Sequence, residues 1–176
     1  MSGSKRVGLV EVYTGDGKGK TTAALGLALR AAGHGLRTYF GQFLKGRPTG
    51  ELKAARMLEP YLTIEQFGEA SFVATRGDAH QAALVRKGLQ RVRQILSSGE
   101  YDIIVLEEIN VALDLGLVSL EEVLALLEER PSEVELVLTG RGASQELISR
   151  ADLVTEMVAV KHPYEQGLKA RPGIEF

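Results

Sequence analysis

The sequence predicts an α/β domain in which a mostly parallel central sheet carries helices on both faces. Three observations predict it. An apolar run, Val7 to Tyr13, enters a glycine-rich turn and leaves it as an Ala/Leu-rich helical run, Ala23 to Ala32. Apolar stretches of strand length then alternate with stretches of helical periodicity, the pattern that crossover connections in a parallel sheet produce. One of them, Ile103-Ile104-Val105-Leu106, is apolar without a break, as in a strand buried on both faces.

The elements follow in order. Val7 to Tyr13 is the expected first strand. Lys20 to Ala32 is a helix closed by Gly33-His34-Gly35, since glycine supplies the C-terminal cap conformation. Thr38 to Phe43 is the second strand, and Lys45 to Gly50 a loop punctuated by Gly46 and Pro48. Glu51 to Leu58 is a short helix that stops before Pro60, because the residue before a proline avoids helical geometry. Tyr61 to Phe67 alternates Leu62, Ile64 and Gln66 against Tyr61, Thr63 and Glu65, as a strand does. Gly68 to Gly77 is irregular. Asp78 to Ser98 is a long helix whose Val85, Leu89, Val92 and Leu96 make one apolar stripe. Ser119-Leu120-Glu121-Glu122 fits a capping box opening a helix that ends near Arg130-Pro131. Val134 to Leu138 is a strand, Ser144 to Ser149 a short helix and Leu153 to Met157 a last strand. The chain from Val160 onward is polar and contains glycine.

Composition narrows the function. The 176 residues suit one domain, 1–176, with a full core. Apolar residues make up 44% and charged residues 25%, ordinary values for a globular protein. With 21 basic and 23 acidic residues the net charge is −2, which argues against a nucleic-acid binder relying on a broad basic surface. No apolar run approaches a membrane span. Met1 to Arg6 lacks the apolar region of a signal peptide, so a cytoplasmic location is expected. Cysteine is absent, which excludes disulfides, thiolate metal sites and cysteine nucleophiles.

The chemistry starts at Thr14-Gly15-Asp16-Gly17-Lys18-Gly19-Lys20-Thr21-Thr22. Strand, glycine-rich turn, Gly-Lys-Thr and helix form the layout of a phosphate-binding P-loop. Gly15, Gly17 and Gly19 let bare backbone N–H groups approach phosphate oxygens. The helix that follows turns its unbonded N–H groups on the same anion. Lys20 is expected to reach the outer phosphates and the Thr21 hydroxyl to ligate Mg²⁺. Asp16, Lys18 and Thr22 complete the loop. The strict pattern has glycine where this chain has Thr14, and Lys18 is an additional cation.

In parallel sheets, ligands bind at the carboxyl ends of the strands. That rule gathers the loop, Lys45, Glu107-Glu108 and Arg141 on one edge. An apolar strand ending in an acidic residue is the second nucleotide element of P-loop proteins, where the carboxylate holds or orients Mg²⁺. Two solvated carboxylates at a strand end are the alternative. Arg141, in Thr139-Gly140-Arg141-Gly142, has the fork that suits phosphate, or is a surface arginine in a turn. His34, His80 and His162 lie beside no nucleophile or metal-spaced partner and are read as structural or surface residues. No Ser-His-Asp arrangement or hydrolase carboxylate pair is visible.

Along its whole length the chain resembles the P-loop ATP:corrinoid adenosyltransferases, the cob(I)alamin or cob(I)yrinic acid a,c-diamide adenosyltransferases. The residues that carry the resemblance are Tyr13 to Ala24, Ala31 to Gly35, Gln42-Phe43-Leu44-Lys45-Gly46 and Val105-Leu106-Glu107-Glu108-Ile109. Thr139 to Ala143, Ala151 to Met157, Val160-Lys161-His162-Pro163, and Gly167, Ala170 and Gly173-Ile174-Glu175-Phe176 complete them. The family's loop also lacks the early glycine, which accounts for Thr14. The resemblance implies a three-layer P-loop NTPase-like (RecA-like) fold. It implies an enzyme in which Co(I) of a reduced corrinoid attacks the 5′ carbon of ATP and expels triphosphate, with Mg²⁺ as cofactor. The nucleophile belongs to the corrinoid, so the protein needs neither a nucleophile nor a general base. It further implies a homodimer served by a flavoprotein or other reductase.

Two departures bear on the site. The family usually has Asp-Glu where this chain has Glu107-Glu108, so the Mg²⁺ role is carried to Glu108 and Glu107 is left open. Some members have Phe and, two residues on, Trp in the loop over the corrinoid; the counterparts are Phe72 and Ala74. Phe72 is expected to cover the corrinoid's lower face, or else to pack onto the core. The competing functions are a P-loop ATPase or kinase acting on the γ-phosphate, and a nucleotide-binding regulatory protein with little turnover.

Overall fold

A computed structural model describes residues 6–70, 75–163 and 167–175. Six strands, all parallel, form one sheet in the order β3-β2-β4-β5-β1-β6. They are β1 (Val10–Thr14), β2 (Thr38–Phe43), β3 (Leu62–Phe67), β4 (Ile103–Glu107), β5 (Glu135–Thr139) and β6 (Leu153–Glu156). Between them run α1 (Lys20–Ala32), α2 (Gly50–Met57), α3 (Ala79–Ser98), α4 (Ile109–Asp114), α5 (Leu120–Glu129) and α6 (Gln145–Arg150). The expected α/β class and helix-covered sheet are therefore present, and the sheet is wholly parallel.

Alternation along the central strands splits the core in two. Ile104, Leu106, Leu136 and Leu138 face one side with Tyr39 and Phe43, where Val85, Leu89, Val92 and Leu96 of α3 cover them. Phe40, Ile103, Val105 and Val137 face the other, under Ala24, Ala28 and Ala31 of α1. Alanines on α1 let that helix lie close to the sheet. Both faces of β4 are thus buried, as its unbroken apolar run predicts. At 25 cal/mol per Å², each fully buried large apolar side chain contributes about 1.5–3 kcal/mol relative to exposure.

Local signals hold where their chemistry is specific. Ser119 accepts from Glu122 N while Glu122 reaches back to the Ser119 N–H, the reciprocal capping box of α5. Asp78 caps α3 by accepting from His80 N and Gln81 N. Most other boundaries move by a residue, β5 to Glu135–Thr139, α6 to Gln145–Arg150 and β6 to end at Glu156, and three differences stand out. The first strand begins at Val10 rather than Val7, and Val7 is 73% exposed. Helix α2 begins one residue earlier, at Gly50. Helix α4 is an addition: six residues whose start, Glu108, has a left-handed backbone and no side-chain cap, so no start signal marks it.

Strand β6 differs from the rest. It lies at an edge, and all four of its residues are exposed. No helix among the described residues long and apolar enough to cross a membrane is present.

Candidate active site

The loop between β1 and α1 is held open by backbone. Gly19 precedes α1 at φ 128°, and no acidic residue stands in the first turn of the helix, so its free N–H groups face no anion of their own helix. The exit of β6 presses on the loop from behind. Gly17 N donates to Met157 O at 2.6 Å, and Met157 N donates to Thr14 O at 2.9 Å. A Cβ on Gly17 would lie 2.7 Å from Met157 O. Thr14 is buried, and its hydroxyl accepts from Ala143 N at 3.3 Å. A glycine in that position could not tie the loop to the β5–α6 turn.

The Lys20 ammonium donates to Gly15 O at 2.6 Å and Gly17 O at 2.8 Å. It fills the cup that the loop makes. Burial pushes its pKa down, and Glu108 opposes that shift. A cavity of about 330 Å³ opens above the loop, lined by Asp16, Gly17, Lys18, Gly19, Lys20, Thr21 and Thr22 together with Glu108 and Arg141. Arg141 is well exposed and lies 3.9 Å from Asp16. The sequence-predicted cradle residues are therefore brought together around one space, with Gly15 beneath it through its carbonyl bond to Lys20.

The two carboxylates at the end of β4 diverge. Glu107 is fully buried and accepts from Thr21 Oγ1 at 2.6 Å and from Lys45 Nζ at 2.5 Å, both on Oε1. Its Oε2 is buried without a hydrogen-bond partner. Glu108 lines the cradle instead. Burial raises its pKa, and the neighbouring Glu107 charge adds to the rise. Sequence reasoning gives the metal role to Thr21 and Glu108 and leaves Glu107 open, yet it is Glu107 that Thr21 touches. Strand register explains the division, because consecutive residues point opposite ways until Glu108 breaks the strand at φ 64°.

Leu44 is the other non-glycine residue of positive φ among the described residues, at 59°. Such backbone costs about 1–3 kcal/mol and persists only where the surroundings impose it. Here they do: Leu44 N donates to Phe67 O at 3.0 Å, and Gly46 packs so tightly that a Cβ would lie 2.3 Å from Gly68 O. The kink turns the chain after β2 so that Lys45 reaches back to Glu107.

A second cavity, about 530 Å³, lies beside the cradle between α1 and α2, with walls from Leu25, Leu29, Leu58 and Leu62. Ile174 and Glu175 line both cavities, and Lys18 Nζ donates to Ile174 O at 3.2 Å. Sequence reasoning places Lys45 on this edge by the strand-end rule, names Ile174 and Glu175 only as family residues and reads His162 as structural or surface, but His162 also lines the cradle. No periodicity could have found His162, Ile174 and Glu175, since long-range approach brings them there. Phe72 and Ala74 lie outside the described residues.

A model of the ATP:corrinoid adenosyltransferases BtuR, CobO and CobP matches residues 6–176. The chain belongs to this family. Its reaction is the transfer of the adenosyl group of ATP to a corrinoid. The chain is 37% identical to the corrinoid adenosyltransferase of Pseudomonas aeruginosa, over 96% of this chain and 84% of that one. It is equally similar, at 37%, to the corrinoid adenosyltransferase of Escherichia coli K12, over 96% of this chain and 86% of that one. Among solved structures the adenosyltransferase chain resembles the flagellar accessory protein FlaH of Methanocaldococcus jannaschii, with a TM-score of 0.59 at 11% identity over 88% of this chain and 73% of that one. That likeness concerns the fold alone.

Proposed function

We propose that this adenosyltransferase binds the triphosphate of ATP on the Gly15–Thr22 loop and presents C5′ to Co(I) of a corrinoid held over the neighbouring apolar cavity. The observation that carries this reading is the adjacency of the two spaces. One is ringed by Lys18, Lys20, Arg141 and loop amides, and the other is walled by leucines. The transfer needs both: cations for a strongly anionic leaving group, and a dry surface beside the cobalt.

Each residue then has a task. Gly17 and Gly19 let the loop lie against Met157, and the Gly17 amide is spent on the Met157 carbonyl rather than offered to phosphate, so the amides at the start of α1 face the anion. Lys20 exchanges its loop carbonyls for phosphate oxygens when they arrive. Asp16 holds Arg141 at the rim, and Thr22 closes the loop. Phe72 covers the lower face of the corrinoid. The expected Mg²⁺ fits the donor set. Thr21 and Glu108 offer oxygen ligands, which suit a hard cation. Among the described residues no cluster of three or more His, Asp or Glu forms a closed metal cage. One or two carboxylates plus substrate phosphates are what Mg²⁺ ordinarily uses. Glu107, by accepting the hydrogen bond of the Thr21 hydroxyl, leaves its oxygen lone pairs turned to the cation. Bound there, Mg²⁺ would neutralise charge on the triphosphate. The enzyme acts as a homodimer in the cytoplasm, with a flavoprotein or other reductase supplying Co(I).

The test is a product analysis. ATP, Mg²⁺ and a chemically reduced corrinoid should give a light-sensitive Co–C product and inorganic triphosphate, and ATP should persist when corrinoid is omitted. Stoichiometric ADP and orthophosphate without adenosylated corrinoid would overturn the reading in favour of γ-phosphate chemistry.

A further inference from the structure

Strain, burial and position converge on one side chain that the family motif alone leaves without a task. The two non-glycine residues of positive φ among the described residues, Leu44 and Glu108, stand on either side of one ion pair, Lys45–Glu107. Strands β2 and β4 are neighbours, with Gln42 opposite Glu107. The chain therefore departs from regular geometry at both strand ends where this pair forms. Glu107 is wholly buried, whereas the Lys45 side chain keeps 24% of its surface exposed. An ammonium has three donors, and among the described residues Lys45 spends one, on Glu107. Its exposed remainder borders both the phosphate cradle and the apolar cavity. Among the described residues, those that line both cavities are Thr21, Thr22, Lys45, Ile174 and Glu175. Lys45 is the cation among them; Lys18, Lys20 and Arg141 belong to the cradle alone.

We propose that Lys45 is a catalytic residue that neutralises the triphosphate at its reacting end, with Glu107 as the group that positions it. This rests on the adenosyl-transfer reading above. In that reaction the electron pair of Co(I) forms the Co–C5′ bond. The C5′–O bond breaks with its pair going to the triphosphate oxygen, so cobalt is oxidised by two electrons and no proton moves. New negative charge appears on the oxygen that leaves C5′. That atom lies where the charged and the apolar environments meet, and the side-chain cation at this border is Lys45. The charge arrives only as the bond breaks, so contact with Lys45 favours the transition state over bound ATP.

The experiment compares Lys45→Met, Lys45→Arg and the double variant Lys45→Met/Glu107→Gln with wild type, under saturating Mg²⁺. Three quantities are measured: melting temperature, calorimetric affinity for ATP and for inorganic triphosphate, and the single-turnover rate of Co–C bond formation. Lys45→Met should slow that rate by roughly 10- to 150-fold, the range a charge-assisted hydrogen bond spans. ATP affinity should change by less than about threefold, and affinity for inorganic triphosphate should fall about tenfold more than that for ATP. Free triphosphate already bears the extra charge that ATP acquires only in the reaction. Lys45→Arg should recover part of the rate. The double variant, which strands no buried carboxylate, should melt near wild type and remain slow. A wild-type rate in Lys45→Met, recovery of the rate in the double variant, or equal losses of ATP and triphosphate affinity would each overturn the assignment. Failure of the adenosyl-transfer reading itself looks different: wild type then releases ADP and orthophosphate and makes no Co–C product.

Discussion

The two halves of the active-site rim are built on opposite principles. The β1–α1 loop presents backbone: glycines, free amides and a lysine folded onto carbonyls. The ends of β2 and β4 present side chains: Lys45, Glu107 and Glu108, aimed by a left-handed Leu44 and a left-handed Glu108. Glycine enters the left-handed region without steric cost, whereas Leu44 and Glu108 enter it against their own preference. A cradle for any polyphosphate can be generic, so unstrained backbone suffices. A group that must meet one oxygen at one step has to be aimed, and strain fixed by close packing does the aiming. If Lys45 acts as proposed, the difference places specificity for this reaction on the β2–β4 side of the rim.

That contrast can be broken most forcefully at Lys20. Lys20→Ala should lower turnover by 100-fold or more and weaken ATP binding by about 1.5–3 kcal/mol, the worth of a charge-assisted contact. Circular dichroism and melting should stay near wild type. Normal turnover would mean that the backbone half does not hold the triphosphate. Gly17→Ala comes next. Its Cβ would drive into the Met157 carbonyl, so the variant should lose about 1–3 kcal/mol of stability by overpacking and most of its ATP affinity, as thermal and calorimetric titrations would show. Tolerance of alanine there would show that the loop yields without disturbing β6.

The carboxylates give a finer comparison. Glu108→Gln should raise the Mg²⁺ concentration for half-maximal turnover more than Glu107→Gln does, and an equal or reversed ranking would move the metal to Glu107. Glu108 also carries a sign that can be worked out. Its folded pKa is raised, chiefly by burial and then by Glu107. The stability linked to its protonated form is present below the ordinary glutamate value and is lost as pH rises through the folded pKa. At neutral pH the ligand-free enzyme therefore carries a penalty that Glu108→Gln removes. The variant should melt higher than wild type at pH 7, with the gain vanishing in acid. A lower melting point at pH 7 would contradict the burial argument. Arg141→Ala should matter least. Its exposed side chain and 3.9 Å approach to Asp16 predict a few-fold rise in the KM for ATP at most, in line with the about 0–1 kcal/mol of an exposed pair.

The sheet and the loop were legible because short-range rules determine them. The unbroken run Ile103–Leu106 gave a two-faced strand, the stripe Val85, Leu89, Val92 and Leu96 gave α3, and Ser119 with Glu122 gave a cap; all appear as expected. The Glu107–Glu108 division was not legible. Both residues are glutamate, and only the turn at Glu108 separates the buried one from the one on the cradle. Lys45 was placed on the right edge by strand order alone. Its contact with Glu107, 62 residues away in sequence, depends on the Leu44 kink, which no propensity for leucine suggests.

The coupling of the loop to β6 has a consequence for timing. An edge strand with four exposed residues opens more readily than the strands inside a sheet. The amide of Gly17 and the carbonyl of Thr14 both bond to Met157, the residue that follows this strand. Fraying of β6 should therefore release the Gly17 and Thr14 bonds to Met157 before the core opens. The free energy that opens this loop should then be that of a peripheral strand, well below that of global unfolding. The amide of Gly17 should exchange with solvent deuterium at the pace of β6, while the amides of β4 wait for the whole domain to unfold.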